Sequence, residues 1–280
     1  MKIFLLGQNG YVGGWILRHF SALEGVEVVP VQVDVTDRSA VIEALKDARD
    51  AVVINATGKT GKPNVDWCED HRLETAKVNV DGAINVCEVA SDQGNYVIQV
   101  GSGCIFTGDD SYLFTEDDEP NFFGSYYSQT KAVAESALKE ISNVCVLRIR
   151  MPIEGSETSK NLLNKLLKYE KVISVPNSVT VMEDFMPFIE RVIEKRVVGS
   201  LNSVNLGVYE HRDLLELYRK IVDPQRSFEY IGLDEFEGMT VAKRSNCVLS
   251  TKKCEDLGIA MPHFKDSLPR VLEAYRQQKV

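Results

Sequence analysis

The chain has 280 residues, of which 44% are hydrophobic and 26% are charged, and its formal net charge is -9. This length can bury a substantial core, as one large domain or two lobes, and the composition is ordinary for a globular protein. The acidic balance argues against nucleic acid as a partner, because surfaces that bind polyanions are normally basic.

Membrane, metal and secretory signals are all missing from the sequence. No apolar run approaches the roughly 18 residues of a membrane span, and the N-terminal apolar run is too short for a signal-peptide core. The six cysteines include no Cys-x-x-Cys pair, and the four histidines lie far from them. We therefore expect free thiols, no metal site and a cytoplasmic location.

The chain begins with a strand, a glycine turn and a helix. Residues 3–6 are apolar, residues 7–14 contain Gly-x-x-Gly-x-x-Gly, and an amphipathic stretch follows over residues 15–23. Glycines let the backbone approach a pyrophosphate, and the helix N-terminus complements its charge, so this context favours a dinucleotide site over an ordinary tight turn. The predicted cofactor contacts in this loop are Gly7, Asn9, Gly10, Tyr11, Val12 and Gly13.

The second predicted strand, residues 26–31, bears on the choice of cofactor. NAD sites commonly end this strand with an acid for the ribose 2′-hydroxyl, whereas this chain has apolar or neutral residues at positions 30–32. We therefore favour NADPH and leave NADH open. Arg18 either faces a 2′-phosphate or is simply solvated on its helix.

Asp34 and Val35 follow as further predicted cofactor contacts, with Asp34 placed to reach the adenine. Thr36 or Asp37 is a candidate N-cap for a helix that ends near residue 45.

The third predicted strand, residues 51–54, leads into Asn55-Ala56-Thr57-Gly58. Ligands bind at the carboxyl ends of strands in open α/β sheets, so Ala56, Thr57 and Gly58 are predicted to contact the cofactor. The loop over residues 59–69 contains Trp67, which either contacts substrate or is a buried ring under a surface loop. Asn79 falls inside a predicted helix over residues 73–90; it is a poor helix former, which indicates a local hydrogen-bond network.

A strand over residues 96–100 delivers the most informative stretch, residues 101–131. It carries the Ser102 hydroxyl, the Cys104 thiol and a Tyr-x-x-x-Lys pair, which places Tyr127 and Lys131 on one face of a helix. A nearby ammonium group favours the phenolate form of a tyrosine and lets it transfer a proton near neutral pH. This arrangement is typical of a ketone-reducing site.

The pattern changes near residue 150, after a predicted strand over residues 144–149. We predict a cofactor-binding domain over residues 1–150 and a smaller substrate lobe over residues 151–280, woven onto it. The second half contains predicted helices at 161–169, 185–196, 211–221 and 266–276 and a short strand at 203–206.

Taken together, these motifs resemble the extended short-chain dehydrogenase/reductase superfamily. Within it, residues 58–69, 103–106 and 120–128 are similar to the nucleotide-rhamnose synthase/epimerase-reductases, the plant-type enzymes that convert UDP-4-keto-6-deoxyglucose to UDP-rhamnose. Residues 148–153, 169–178 and 244–246 continue the match. The resemblance covers nearly the whole chain and implies a Rossmann-type doubly wound parallel sheet, a homodimer, and NADPH with a UDP- or dTDP-linked 4-keto-6-deoxyhexose.

The resemblance also implies residue roles. Ser102, Tyr127 and Lys131 correspond to the reductase triad, and Cys104 and Lys165 to the epimerase pair. GDP-fucose synthase, a related epimerase/reductase, also has a cysteine two residues after the catalytic serine, but its second group is a histidine. Further expected cofactor contacts are Asn79, Tyr127, Lys131 and Met151, and the expected substrate contacts are Asn64, Trp67, Asn121, Asn161 and Arg244.

Two departures from related enzymes are visible. The segment between Phe106 and Glu116 is shorter than the plant-type pattern, which puts the loop over the sugar in question. Simple 4-keto-rhamnose reductases carry Asp-Tyr where this chain has Gly103-Cys104. This difference favours an additional epimerase activity.

A C4 ketone makes both reactions chemically compatible with one pocket. It acidifies the hydrogens on C3 and C5, because the resulting enolate can be stabilised by hydrogen bonds from Ser102 and Tyr127. Inversion then needs a base on one face and a proton donor on the other. Cys104 and Lys165 can fill these roles, although a free cysteine is often a small buried filler and a helix lysine is often solvated.

Three hypotheses follow. The first is a bifunctional 3,5-epimerase/4-reductase, the second is a 4-reductase alone, and the third is a non-catalytic nucleotide-sensing subunit on the same fold. The intact triad argues against the third, and Cys104 argues against the second.

Overall fold

The computed structural model describes residues 1–236 and 239–278. Its strands are β1 (Lys2–Leu6), β2 (Glu27–Val31), β3 (Val52–Asn55), β4 (Tyr96–Ser102), β5 (Leu113–Phe114), β6 (Val144–Ile149), β7 (Pro152–Ile153), β8 (Lys171–Ile173), β9 (Thr180–Val181), β10 (Gly199–Asn202), β11 (Asn205–Leu206), β12 (Glu229–Ile231), β13 (Val248–Leu249) and β14 (Met261–His263). Its helices are α1 (Tyr11–Ser21), α2 (Arg38–Leu45), α3 (Trp67–Asp70), α4 (Arg72–Ala76), α5 (Gly82–Asp92), α6 (Tyr126–Leu138), α7 (Leu162–Leu166), α8 (Met182–Lys195), α9 (His211–Ile221), α10 (Leu233–Phe236), α11 (Lys252–Asp256) and α12 (Phe264–Gln277).

Six parallel strands form the central sheet, in the order β10-β6-β4-β3-β1-β2. The inner strands β1, β3, β4 and β6 are mostly apolar and largely buried, as parallel strands covered by helices on each face must be. One face packs against α1 and α8, through side chains such as Phe20 and Phe185. The other packs against α2, α5 and α6, through side chains such as Val41, Val86 and Leu138. The predicted doubly wound α/β fold is confirmed.

A second core lies beside the sheet. Its buried side chains come from β7, α7, β8, β9, α9 and α12, and include Leu163, Leu215 and Leu272. The chain crosses between the two cores, because α8 and β10 follow residue 150 yet pack on or pair within the central sheet. We retain the division at residue 150 as a proposal about chain order, with residues 182–202 returning to the sheet.

Several predicted element boundaries were wrong. The helix expected over residues 73–90 is α4, a π-helical segment (Lys77–Asp81) and α5 in succession. The helix expected over residues 161–169 is only α7, and the strand expected at 203–206 shortens to β11. The edge strand β10 was missed, because Gly-Ser-Leu-Asn lacks the apolar pattern of a buried strand.

No helix within the described residues is long and apolar enough to cross a bilayer.

Candidate active site

The carboxyl end of β4 and the start of α6 form the centre of the site. Ser102 is the last residue of β4 and is 4% exposed. Helix α6 begins after Ser125, whose hydroxyl caps it by accepting a hydrogen bond from the Ser128 backbone N–H at 3.2 Å. Tyr127 therefore lies in the first turn, and Lys131 lies one turn later on the same face.

Lys131 is buried, and its Nζ donates a hydrogen bond to the Val100 carbonyl oxygen at 3.2 Å. Burial lowers the pKa of Lys131 to about 8, against the opposing effect of the Glu135 carboxylate. Burial raises the pKa of the Tyr127 phenol and the Cys104 thiol adds to the increase, whereas a hydrogen bond with Ser102 lowers it. Ser102 and Cys104 thus act on the pKa of Tyr127, and the Cys104 thiol also acts on the pKa of Lys131. The sequence predicts that Lys131 favours the Tyr127 phenolate, whereas the pKa of this phenol is raised because burial dominates.

Cys104 differs from the other cysteines in its exposure. Five of the six cysteines are buried, whereas Cys104 is half-buried. Its backbone N–H donates a hydrogen bond to the Ser102 hydroxyl oxygen at 3.1 Å. A partly accessible thiol beside a hydroxyl, a phenol and an ammonium group is suited to proton transfer.

The glycine loop has the geometry of a dinucleotide cradle. Gly7 has a φ of +82°, and a Cβ atom there would lie 2.6 Å from the Ala56 carbonyl carbon. A Cβ atom at Gly13 would overlap the Gly7 carbonyl oxygen. The N-cap Gly10 supplies no side-chain cap to α1, which leaves the first N–H groups of the helix to bind a phosphate.

The other residues of this loop occupy varied positions. Asn9 is exposed and Val12 is half-buried. Burial raises the pKa of the Tyr11 phenol, and the neighbouring Glu154 carboxylate raises it further. Arg18 is exposed, with its guanidinium 5.0 Å from the Trp15 ring centroid.

The segment after β2 presents one carboxylate to solvent. Asp34 is exposed and accepts hydrogen bonds from the Thr36 backbone N–H and hydroxyl, at 2.9 and 2.8 Å, and these lower its pKa. Val35 is buried and its carbonyl oxygen accepts a hydrogen bond from the Asn85 side chain. Asp37, one of the two predicted candidates, is the N-cap of α2.

Asn79 joins the loop after β3 to α6. Its Oδ1 accepts a hydrogen bond from the Lys59 backbone N–H at 2.7 Å, and its Nδ2 donates to the Lys59 carbonyl oxygen and the Thr130 hydroxyl. The predicted hydrogen-bond network is confirmed. Ala56 and Thr57 are half-buried and Gly58 is exposed, and Asn55 accepts hydrogen bonds from Thr57.

The loop over residues 58–69 is held by its own contacts and by the last quarter of the chain. Trp67 stacks on His71 with ring centroids 3.8 Å apart, and Asn64 Oδ1 accepts a hydrogen bond from the Asp66 backbone N–H. Arg244 donates a hydrogen bond to Asp66 Oδ1 at 2.8 Å. The guanidinium predicted to bind the nucleotide is thus an ion-pair partner of this loop.

Two predicted substrate-binding asparagines have structural roles. Asn161 is fully buried, caps α7, and donates hydrogen bonds to the Glu154 and Ser156 carbonyl oxygens. Asn161 therefore has no exposed atom to offer a diphosphate in this conformation. Asn121 is exposed but closes a reciprocal pair of hydrogen bonds with the Thr107 backbone.

Among the described residues, no hydrogen bond or ion pair links the Lys165 side chain to Ser102, Cys104, Tyr127 or Lys131. Lys165 is exposed on α7, and the protein around it together with Lys160 and Lys168 lowers its pKa. Met151, a predicted cofactor contact, is half-buried and has a φ of +39°, a left-handed conformation that is strained for a side chain of this kind.

The sequence analysis missed Arg150. It follows the end of β6, is 1% exposed, and donates hydrogen bonds to Ser245 Oγ at 2.8 Å and to Asn177 Oδ1. The signal was its position, since a charged residue directly after a buried strand lies at the ligand-binding edge of a parallel sheet.

Comparisons with known proteins identify a family and relatives of this chain. Residues 1–188 match the family described as the RmlD substrate binding domain. The chain is 35% identical over 274 residues to a bifunctional dTDP-4-dehydrorhamnose 3,5-epimerase/dTDP-4-dehydrorhamnose reductase of Arabidopsis thaliana, covering 95% of this chain and 91% of that protein.

Two solved structures share the fold. The crystal structure of a UDP-rhamnose synthase from Acanthamoeba polyphaga mimivirus has a TM-score of 0.91 and 28% identity, over 98% of this chain and 99% of that one. A dTDP-4-dehydrorhamnose reductase from Bacillus anthracis in complex with NADP has a TM-score of 0.82 and 18% identity, over 96% and 98% of the two chains.

Proposed function

Because the chain belongs to the RmlD substrate binding domain family, we propose that it is an NADPH-dependent 3,5-epimerase/4-reductase that converts a UDP- or dTDP-linked 4-keto-6-deoxyglucose to the corresponding L-rhamnose nucleotide. The observation that carries this proposal is the half-buried Cys104 thiol beside the cluster of Ser102, Tyr127 and Lys131. The relative from Arabidopsis thaliana, which is named for both activities, supports it.

The glycine cradle fits the cofactor. A Cβ atom at Gly7 or Gly13 would collide with the backbone of Ala56 or Gly7, so glycine allows the tight turn before α1, and the uncapped N-terminus of α1 offers N–H groups to a pyrophosphate. The NADP complex of the Bacillus anthracis reductase supports NADPH as the ligand. Bound there, NADPH supplies the hydride that reduces the C4 ketone.

The reductase half of the reaction uses Ser102, Tyr127 and Lys131. The Ser102 hydroxyl donates a hydrogen bond to the C4 oxygen, and the Tyr127 phenol transfers its proton to that oxygen as negative charge develops. Lys131 in its ammonium form then stabilises the phenolate that remains. The Val100 carbonyl oxygen holds the Lys131 Nζ in place for this purpose.

The epimerase half uses Cys104. The C4 ketone acidifies the hydrogens on C3 and C5, and the same Ser102 and Tyr127 groups stabilise the enolate oxygen. Cys104 exchanges a proton with carbon on one face of the sugar, and we assign the opposite face to Lys165. Lys165 is exposed on α7, and its assignment rests on the resemblance rather than on a contact with Cys104.

A reductase without epimerase activity is the second candidate. It is favoured by the position of Lys165, whose pKa responds to Lys160 and Lys168 rather than to Cys104. A non-catalytic nucleotide-sensing subunit is the third, and the intact triad argues against it. We further propose a homodimer in the cytoplasm.

Product analysis by NMR tests the proposal. The protein is incubated in deuterated water with NADPH and a nucleotide sugar. UDP-4-keto-6-deoxyglucose and dTDP-4-keto-6-deoxyglucose are tested in separate reactions. We expect an L-rhamnose nucleotide with deuterium at C3 and C5. No product from these ketones, together with reduction of an already epimerised ketone, would indicate a reductase without epimerase activity, whereas binding without product from either kind of ketone would exclude the enzyme hypothesis.

A further inference from the structure

Arg150 is a buried cation without a carboxylate partner. Its side chain is 1% exposed, and no carboxylate among residues 1–236 and 239–278 forms an ion pair with it. Its Nη atoms donate hydrogen bonds to the neutral groups of Ser245 and Asn177, and its Nε is buried without a hydrogen-bond partner. A charge buried in this way is costly unless an anionic group balances it.

Arg148, two residues earlier, shows the ordinary solution. It is also fully buried, but its Nη2 lies 2.6 Å from a Glu135 oxygen, and its Nε donates to the same carboxylate at 2.7 Å. The contrast between these two arginines, which are two residues apart, indicates that Arg150 does not serve as half of a structural ion pair.

The environment of Arg150 includes the acidic groups of the proposed site. Its Cγ and Cδ lie so close to Gly103 that a Cβ atom there would be 2.9 Å from each. Gly103 immediately precedes Cys104, and its carbonyl oxygen accepts a weak hydrogen bond from the Cys247 thiol at 3.5 Å. Burial lowers the pKa of Arg150, but the Cys247 thiol, the Cys104 thiol and the Tyr127 phenol outweigh this effect, so the pKa is raised.

We propose that Arg150 is a positioning residue whose fixed positive charge stabilises the negative charge that forms on Cys104 and Tyr127 during the reaction. The catalytic part of this inference rests on the proposed function. The effect of the Arg150 charge on Cys104 can be measured without any substrate.

The other groups that face this cluster do not replace Arg150. Lys131 approaches Cys104 from α6, but its pKa of about 8 leaves part of its population neutral at slightly alkaline pH. Burial of the Cys247 thiol raises its pKa, and His211, on the other side of Arg150, is kept neutral because burial lowers its pKa to about 4. An arginine stays protonated throughout the pH range of the reaction.

The test is the pH dependence of Cys104 alkylation by iodoacetamide, measured on the substrate-free protein. Cys104 is the one half-buried cysteine, and a Cys104→Ala variant identifies any labelling of the five buried thiols. We compare wild type with Arg150→Met, which removes the charge, and Arg150→Lys, which retains the charge but alters the hydrogen bonds. Ser245→Ala, which removes one partner of Arg150 and no charge, is the matched control.

We expect alkylation of Arg150→Met at pH 7 to be about tenfold slower than wild type, with the midpoint of the pH profile moved upward by about one unit. Arg150→Lys and Ser245→Ala should keep midpoints near that of wild type. A purely structural role predicts that the Met and Lys variants behave alike, and a wild-type profile in a folded Arg150→Met protein would overturn the proposal.

If Arg150→Met fails to fold, Arg150→Gln, which has no charge but can still hydrogen-bond to Ser245 and Asn177, takes its place. A folded Gln variant with a midpoint one unit higher supports a role for the charge, whereas the wild-type midpoint contradicts it. The outcome of the alkylation test does not depend on whether the proposed function is correct. Absence of deuterium exchange in wild type would defeat the epimerase while leaving the alkylation comparison valid.

Discussion

The backbone N–H of Cys104 donates a hydrogen bond to the Ser102 hydroxyl oxygen at an N···O distance of 3.1 Å. The hydroxyl that is expected to contact the C4 oxygen of the sugar therefore also fixes the turn that carries the thiol. Because the two reactions proposed for this pocket act on the same ketone, this hydrogen bond fixes the Cys104 backbone relative to the hydroxyl that both reactions are proposed to use.

Replacement of Cys104 by alanine separates the two proposed activities. Cys104→Ala should abolish deuterium incorporation at C3 or C5, because the thiol is the proposed proton carrier on one face of the sugar. Reduction of an already epimerised ketone should continue, since Ser102, Tyr127 and Lys131 remain. NMR of the sugar measures exchange, and NADPH absorbance measures reduction. Retained exchange in this variant would remove Cys104 from the mechanism.

Replacement of Tyr127 by phenylalanine should have the complementary effect. Without the phenol, no group delivers a proton to the C4 oxygen, and we expect kcat for reduction to fall by roughly 10²- to 10⁴-fold. Some deuterium exchange should survive, because Cys104 and the Ser102 hydrogen bond remain. Tyr126→Phe, which changes the adjacent phenol, is the matched control and should reduce the ketone at the wild-type rate. Normal turnover in Tyr127→Phe would refute the triad assignment.

Asn79 should contribute more to stability than an ordinary surface asparagine. Its side chain makes three hydrogen bonds, to both backbone groups of Lys59 and to Thr130, and it is 2% exposed. Asn79→Ala leaves these groups unpaired, and we expect the free energy of unfolding to fall by about 1–3 kcal/mol. Asn85→Ala, which removes a single bond to the Val35 carbonyl oxygen, should cost less. Urea unfolding measures the free energy of unfolding of both variants. Equal decreases would contradict the larger contribution expected from the three hydrogen bonds of Asn79.

Most of the sheet could be predicted from sequence, because each of these strands is a run of apolar residues that is visible in the sequence itself. The apolar runs at residues 3–6, 51–54 and 96–100 correspond to β1, β3 and β4. The exception is β10, a sequence of Gly-Ser-Leu-Asn whose place in the sheet comes from its pairing with β6. Sequence periodicity carries no information about such a tertiary partner.

The site residues also fall into two groups, those with a local sequence pattern and those brought together only by the fold. The spacing of Tyr127 and Lys131 is a local helical relationship, so it was visible in the sequence. Arg150 was missed, because its partners Asn177 and Ser245 are distant in sequence and only the fold brings them together. Asn161 was assigned to the substrate from a resemblance, whereas its position just before α7 is that of a helix cap.

The buried ammonium group of Lys131 should make stability depend on pH. Its folded-state pKa of about 8 lies below the ordinary value of 10.5. Between these two values the unfolded chain keeps a proton that the folded chain has lost, so this residue makes the free energy of unfolding rise with pH across the window. The full gain is on the order of 3 kcal/mol.

A difference measurement isolates this contribution, because buried thiols and phenols titrate over the same window with the opposite sign. Urea unfolding of wild type and Lys131→Met is followed from pH 7.5 to about pH 10.5. We expect the free energy of unfolding of wild type, relative to the variant, to increase as pH rises. Only wild type contains the buried Lys131 ammonium group, which destabilises the fold until it loses its proton. A constant difference between the two proteins would contradict a depressed pKa. If the same ammonium group stabilises the Tyr127 phenolate, as proposed, kcat for reduction by wild type should also fall above about pH 8, where Lys131 loses its proton.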